Sequence, residues 1–218
     1  MQQGVGTKVK YWRWLELALL FLAGPLILFQ LRYHISLLLL PMMVVFAGLC
    51  VVVLMRDHTF KRFRFWNRPG FKKWLRPVLL LFFSLMLFTT VLFYWFEPNQ
   101  IFYLPSNRPY SWLALLVVYP LFSALPQELI FRTFLFHRYK TIIPRKKHRV
   151  WLSSLCFGFA HIFYANWLAI LLSTVAGYVF CKTYAQSRST ILVAVEHSLW
   201  GLWIFTLGLG GYFDSSLI

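Results

Sequence analysis

Acid is scarce in this sequence. Its 218 residues carry six Asp and Glu against 22 Lys and Arg, a formal net charge of +16. Cysteine is scarcer, with Cys50, Cys156 and Cys181 the whole supply. Each lies in or at the end of an apolar run without metal-ligand spacing, which excludes a disulfide framework and a cysteine-ligated metal. No HExxH pattern occurs, so that mark of a zinc protease is missing. Internal repeats, low-complexity tracts and a second domain are also missing, which weighs against the repeat-built carriers. No small-residue cleavage site follows the first apolar run, so that run is read as an uncleaved span.

Apolar side chains are what the chain has in plenty: 60% of it is hydrophobic, 20% aromatic and 13% charged. A soluble domain of this length could not bury so much apolar surface. The expected fold is all-α, a polytopic helical membrane protein with about seven spans near the length that crosses about 30 Å of hydrocarbon. The expected spans are residues 15–31, 35–55, 78–96, 112–136, 150–164, 167–184 and 191–209. Gly24-Pro25 is expected to kink the first of them. The chain reads as one transmembrane domain, 1–218. Its first part, 1–111, holds three spans and a basic loop, and its core is 112–207.

The cations sort by side. Three lie in the N-terminal tail, eight in 56–76, six in 138–149 and two in 182–188, 19 in all. The opposite side has Arg32 and Arg108, and Arg132 falls inside a span. The N-terminus is therefore expected in the cytoplasm and the C-terminus outside. In a soluble protein so basic a balance would suggest nucleic acid. Cations confined to short loops between apolar runs suit lipid headgroups instead, so membrane lipids are expected partners and nucleic acid is not. The stretch Phe60 to Trp74, which mixes aromatics with cations, is of this kind. Glu16 is expected to snorkel to the surface, with an inward turn the alternative. Residues 208–211 with 214–216 are expected to form a frayed outer end.

Charged and polar residues also occur within the apolar runs. Glu128 and Arg132 stand four apart, on one helical face with the acid first. Each alone would cost about 2–3 kcal/mol at bilayer depth, so the two are expected to form a buried, structural ion pair. Helical rise places Gln127, His161 and His197 all about 13–18 Å from the basic end, and Glu196 directly precedes His197. One such residue would be hydrogen-bond glue between helices. Several on three helices at one depth indicate a functional site. Gly158 permits close helix approach beside His161. Gly201, one turn beyond His197, leaves a gap in the pocket. Asn166 reads as a turn residue.

The motifs Gln127-Glu128-Leu129-Ile130-Phe131-Arg132, Phe157-Gly158-Phe159-Ala160-His161 and His197 resemble those of the CPBP family of intramembrane proteases. That family comprises CAAX prenyl endopeptidases and the bacteriocin-processing or immunity (Abi) proteins, with motifs EExxxR, FxxxH and HxxxN or HxxxD in this order. The resemblance implies a glutamic-type endopeptidase that needs no metal. It further implies that the first-motif glutamate and His161 activate water, and that His197 with its Asn or Asp partner holds the oxyanion. Two positions depart from the pattern: Gln127 stands where the first glutamate belongs, and Gly201 where the Asn or Asp belongs. An amide cannot be a general base. Glu196, with His161 orienting the water, is the expected replacement, and His161 acting alone is the alternative.

The expected activity is therefore endopeptidase hydrolysis of a membrane-associated peptide or protein. Catalytic candidates are Gln127, Glu128, His161, Glu196 and His197, and access is expected from the cytoplasmic leaflet. No cofactor is expected, although His161 and His197 with a carboxylate could hold zinc. A catalytically silent relative that binds a membrane partner and a proton-coupled carrier remain open. The cell membrane is the expected location.

Overall fold

The computed structural model describes residues 2–98 and 100–213, so the 214–216 part of the expected frayed end lies outside the described residues. Every regular element among the described residues is helical. Helix α1 (Gln2–Ala18) passes through a π-helical turn, Leu19–Ala23, into α2 (Gly24–Gln30). The Gly24 N–H bonds back to the Leu19 carbonyl, five residues earlier. The disturbance expected at Gly24-Pro25 takes this form because Pro25 lacks the N–H of a normal ladder and a widened turn absorbs the defect. Short α3 (Arg32–Ile35) leads to α4 (Leu39–Arg56), followed by the 29-residue α5 (Arg68–Phe96).

The fourth span is segmented. Two small helices, α6 (Tyr103–Asn107) and α7 (Pro109–Val118), precede a π turn, Tyr119–Ala124. Next come α8 (Leu125–Glu128), a second π turn, Leu129–Phe134, and α9 (Leu135–Arg138). Pro120 and Pro126 each remove a backbone donor within this span, and widened turns are the usual accommodation. They also re-aim the side chains that follow, which here are Gln127, Glu128 and Arg132. Then come α10 (Lys146–Ala160), a 3-10 turn His161–Tyr164, α11 (Trp167–Ser187), α12 (Thr190–Leu207) and a further 3-10 turn, Leu209–Phe213, where the first part of the expected frayed end is instead helical.

Among the described residues, six stretches are long and apolar enough to cross a membrane: Val9–Gln30, Arg32–Arg56, Arg62–Phe96, Pro109–Arg138, Trp167–Ser187 and Thr190–Leu207. The chain is a polytopic helical membrane protein. The fifth expected span, 150–164, is an α-helix closed by a 3-10 turn. With 15 residues α10 rises about 22 Å, and the 3-10 turn adds about 8 Å. Together they match the 21 residues of α11, about 31 Å, against which they pack.

The four basic segments meet at one end. Glu16 accepts hydrogen bonds from Arg138 (Nε 2.8 Å, Nη2 2.6 Å) and from the Tyr139 hydroxyl at 3.1 Å. It is thus turned inward to clamp the first span to the fourth, not snorkelling as expected, because Arg138 offers a paired fork in reach. His137 Nε2 lies 2.7 Å from Asp57 Oδ2, and Lys140 Nζ donates to Thr59 Oγ1 at 2.9 Å. Asn67 Nδ2 donates to the Ser187 carbonyl at 2.7 Å, and Ile191 N–H to the Phe65 carbonyl at 3.1 Å. At the far end, Trp112 Nε1 donates to Thr206 Oγ1 at 2.9 Å. Leucines such as Leu80, Leu87 and Leu113 point outward, as a lipid-facing surface requires.

Candidate functional site

Glu128 and Arg132 are both wholly buried, at 0% exposure. Arg132 Nε lies 3.0 Å from Glu128 Oε2, but without hydrogen-bond alignment. The contact is therefore one of charge. The guanidinium faces aromatic rings instead, 4.2 Å from the Phe157 centroid and 5.3 Å from that of Phe180. This cation–π contact is worth most in a desolvated site.

The other Glu128 oxygen, Oε1, lies 2.7 Å from His197 Nδ1. A carboxylate only accepts, so Nδ1 carries the hydrogen and Nε2 is left free for other chemistry. The His197 ring stacks on Phe180 at 4.8 Å and stands edge-on to Phe157 at 5.5 Å. His161 is fixed in the same way. Its Nδ1 donates to the Phe157 carbonyl at 2.8 Å, and its ring meets Phe157 at 4.8 Å. Phe157 thus touches Arg132, His161 and His197 together.

His161, His197 and Gln127 line one cavity of about 420 Å³, with Tyr119, Ser123, Phe157, Phe180, Trp200 and Gly201. Gln127 Nε2 donates to Ser123 Oγ at 2.9 Å. The cavity is also lined by Leu104, Arg108 and Ser111, so it runs toward the sparsely charged end. A second cavity of about 400 Å³ lies between the first two spans and the core. Its walls include Leu19, Phe21, Leu28, Met42, Phe46 and Ile130. Gln127, His161 and Tyr164 line both cavities.

Glu196 stands apart from the rest. It is 1% exposed, hydrogen-bonded with Thr183 of α11, and lines neither of these two cavities. Neighbours on a helix point about 100° apart, and here that turn sends Glu196 into the α11 contact while His197 faces the cavity. Gly201 leaves no gap either. A Cβ built there would fall far inside van der Waals contact of Tyr119 Oη, Cζ and Cε1, so the phenol already fills the space. At Gly158 a Cβ would run into Thr174 and lie 3.0 Å from the Ile170 carbonyl, which marks close approach of α11. Asn166 is a helix cap, its Oδ1 accepting from Leu168 N–H at 2.9 Å.

Sequence reasoning overlooked Tyr119, Ser123 and Phe180. Ser123 stands four before Gln127, a spacing that could have suggested the pairing. The two histidines and a carboxylate raised zinc as a possibility. Among the described residues, however, no group of three or more His, Cys, Asp or Glu side chains is placed to hold a metal ion.

Residues 109–203 match the family model described as Rce1-like, type II CAAX prenyl endopeptidase Rce1-like. No curated protein and no solved structure matches the chain at a significant level. The segment that carries both histidines and the buried ion pair, residues 109–203, is thus similar to the Rce1-like type II CAAX prenyl endopeptidases.

Proposed function

We propose that this protein is an intramembrane endopeptidase of the CAAX-protease type, hydrolysing a peptide bond of a membrane-associated substrate with an activated water. One observation carries the proposal. Two imidazoles line a single cavity, and each has its Nδ1 bound to a fixed acceptor, so each offers Nε2.

His197 is the general base. Glu128 and Arg132 balance each other's charge, so a neutral His197 adds no further charge to the buried cluster. Its Nε2 takes the proton of water, and the imidazolium that forms is stabilised by Glu128, as in other carboxylate–imidazole pairs. His161 Nε2 accepts the second hydrogen of the same water and fixes its direction. Gln127, held by Ser123, helps to position that water but takes no proton. The water oxygen bonds to the peptide carbonyl carbon while the C=O electron pair moves onto oxygen. As the C–N bond breaks, His197 Nε2–H protonates the departing nitrogen. This division differs from the one implied by the motifs, in which His197 is the oxyanion donor. With Nδ1–H given to Glu128, the neutral ring has no second N–H to offer.

The second cavity suits the apolar part of a membrane-borne substrate, and its shared wall at His161 supports that use. The basic end faces the cytoplasm at the cell membrane, where its cations meet lipid headgroups and not nucleic acid. A catalytically silent relative is the second reading, favoured by Gln127, whose amide is bound to Ser123 where the family has an acid.

The test uses the purified chain in lipid nanodiscs with peptides bearing or lacking a C-terminal prenyl group, product being read by mass spectrometry. His161→Ala and His197→Ala should each lower turnover about 10²–10⁴-fold. Glu196→Gln should keep it. Absence of product from the wild type across the peptide set, with binding intact, selects the silent reading.

A further inference from the structure

If both histidines serve the water, the oxyanion needs another donor. We infer that Tyr119 supplies it, its phenol O–H reaching the reaction cavity through the space left by Gly201. This rests on the hydrolytic reading above and adds a residue to it.

Three independent features converge on Tyr119. It is the first residue of the π turn Tyr119–Ala124, where the widened ladder changes the direction of the side chains that follow α7. Its ring stands edge-on to His197, with centroids 5.9 Å apart and planes 79° apart, and edge-on to Phe205 at 5.8 Å. These contacts grip the ring from two sides. Finally, its hydroxyl end occupies the volume that any side chain at position 201 would fill. Position 201 is four beyond His197, hence on the same helical face and one turn away. The phenol therefore delivers from the π turn after α7 what a polar side chain on α12 would otherwise place there. The presence of Gly201 follows from that: nothing larger fits under the phenol.

The chemistry suits the position. A phenol is a strong hydrogen-bond donor, and a donor aimed where charge develops acts on the transition state more than on the bound peptide. In the proposed step, electrons leave the C=O π bond for oxygen, and Tyr119 O–H donates a hydrogen bond to that oxygen without giving up its proton. No atom or electron is left over, because water and the two imidazoles account for every transfer.

Tyr119→Phe keeps the ring and removes the donor. Turnover number should fall about 10²–10³-fold with KM unchanged. Inhibition by a peptide aldehyde, which is held as its tetrahedral hydrate, should weaken by a similar factor, while an uncleavable N-methyl peptide binds as before. Gly201→Asn alone should fold poorly because the phenol blocks it. Tyr119→Leu with Gly201→Asn should regain at least about tenfold over Tyr119→Leu, because an amide donor then fills the vacated space. Full turnover in Tyr119→Phe, with His161→Ala inactive, overturns the role of Tyr119 and leaves the hydrolase reading standing. Equal weakening of aldehyde and uncleavable peptide makes the residue structural and also overturns the inference. No turnover by the wild type removes the hydrolase reading itself, and Tyr119 falls with it.

Discussion

Glu128→Gln and Arg132→Gln should not be equally harmful. Both residues are wholly buried, and removing one partner of such a pair typically costs about 3–5 kcal/mol because a charge is left uncompensated. The structure sets the order. In Arg132→Gln, the remaining Glu128 still accepts the hydrogen bond from His197 Nδ1 at 2.7 Å, so its carboxylate is not left without a partner. In Glu128→Gln, Arg132 loses the acid that faces it and cannot shed its proton. The rings of Phe157 and Phe180 give on the order of 2 kcal/mol, but they do so already in the wild type and so do not replace the lost acid. Glu128→Gln should therefore lie near the upper end, about 4–5 kcal/mol, and Arg132→Gln near about 2–3 kcal/mol. For a chain of this size each kcal/mol moves the unfolding midpoint about 2–4 °C, giving drops of roughly 8–20 °C and 4–12 °C. The double substitution leaves no net buried charge and should recover part of the larger loss. The assay is thermal unfolding in detergent with monodisperse yield as a second readout. A larger loss in Arg132→Gln, or a double variant as weak as the two losses added, would refute the charge argument.

Three further outcomes follow from the same structure. Lys146→Cys should react with impermeant maleimide in inverted membranes and not in intact cells, and the reverse result would overturn the proposed orientation. Gly158→Ala should cost about 1–3 kcal/mol by overpacking against Thr174, and Thr174→Ala should restore the midpoint; loss of similar size with both present would show that the Ile170 carbonyl is the real obstacle. The hydrogen bond from His137, followed by those from Thr59, holds the Asp57 carboxyl below the usual carboxylate range. Stability from that lowered value is present above about pH 4 and fades as pH falls toward the folded-state value, so the pH 3–6 melting profile of Asp57→Asn should be flatter than that of the wild type.

Much of the scaffold was legible because the rules involved are local. Apolar runs and cation placement are properties of single segments, and the four basic segments indeed meet at one end through Glu16–Arg138, His137–Asp57 and Asn67–Ser187. The pairing of Glu128 with Arg132 followed from helical spacing and the cost of charge in hydrocarbon. The fifth expected span takes the form of an α-helix closed by a 3-10 turn, a distinction that apolar length alone does not carry. Facing directions were harder. Glu196 and His197 have the same depth, but only the rotation of α12 against α11 decides which of them meets the cavity. Tyr119 was hidden for a different reason. It lies 82 residues before the glycine it covers, and two prolines put π turns into its span, so uniform helical spacing gives the wrong direction for the side chains there.

A peptide hydrolase working in hydrocarbon must combine two reagents that do not mix. In the proposed reaction, the two cavities, which share Leu39, Gln127, His161 and Tyr164, would separate their supply. One runs past Ser123, Ser111 and Arg108 and suits water; the other, walled by leucine, methionine and phenylalanine, suits a greasy chain. The partition then works as a phase boundary one side chain thick. Rate should depend on the wetness of the first compartment and on bilayer composition around the second, as two separable variables. Substitutions that widen one compartment should change solvent isotope sensitivity or lipid preference, but not both.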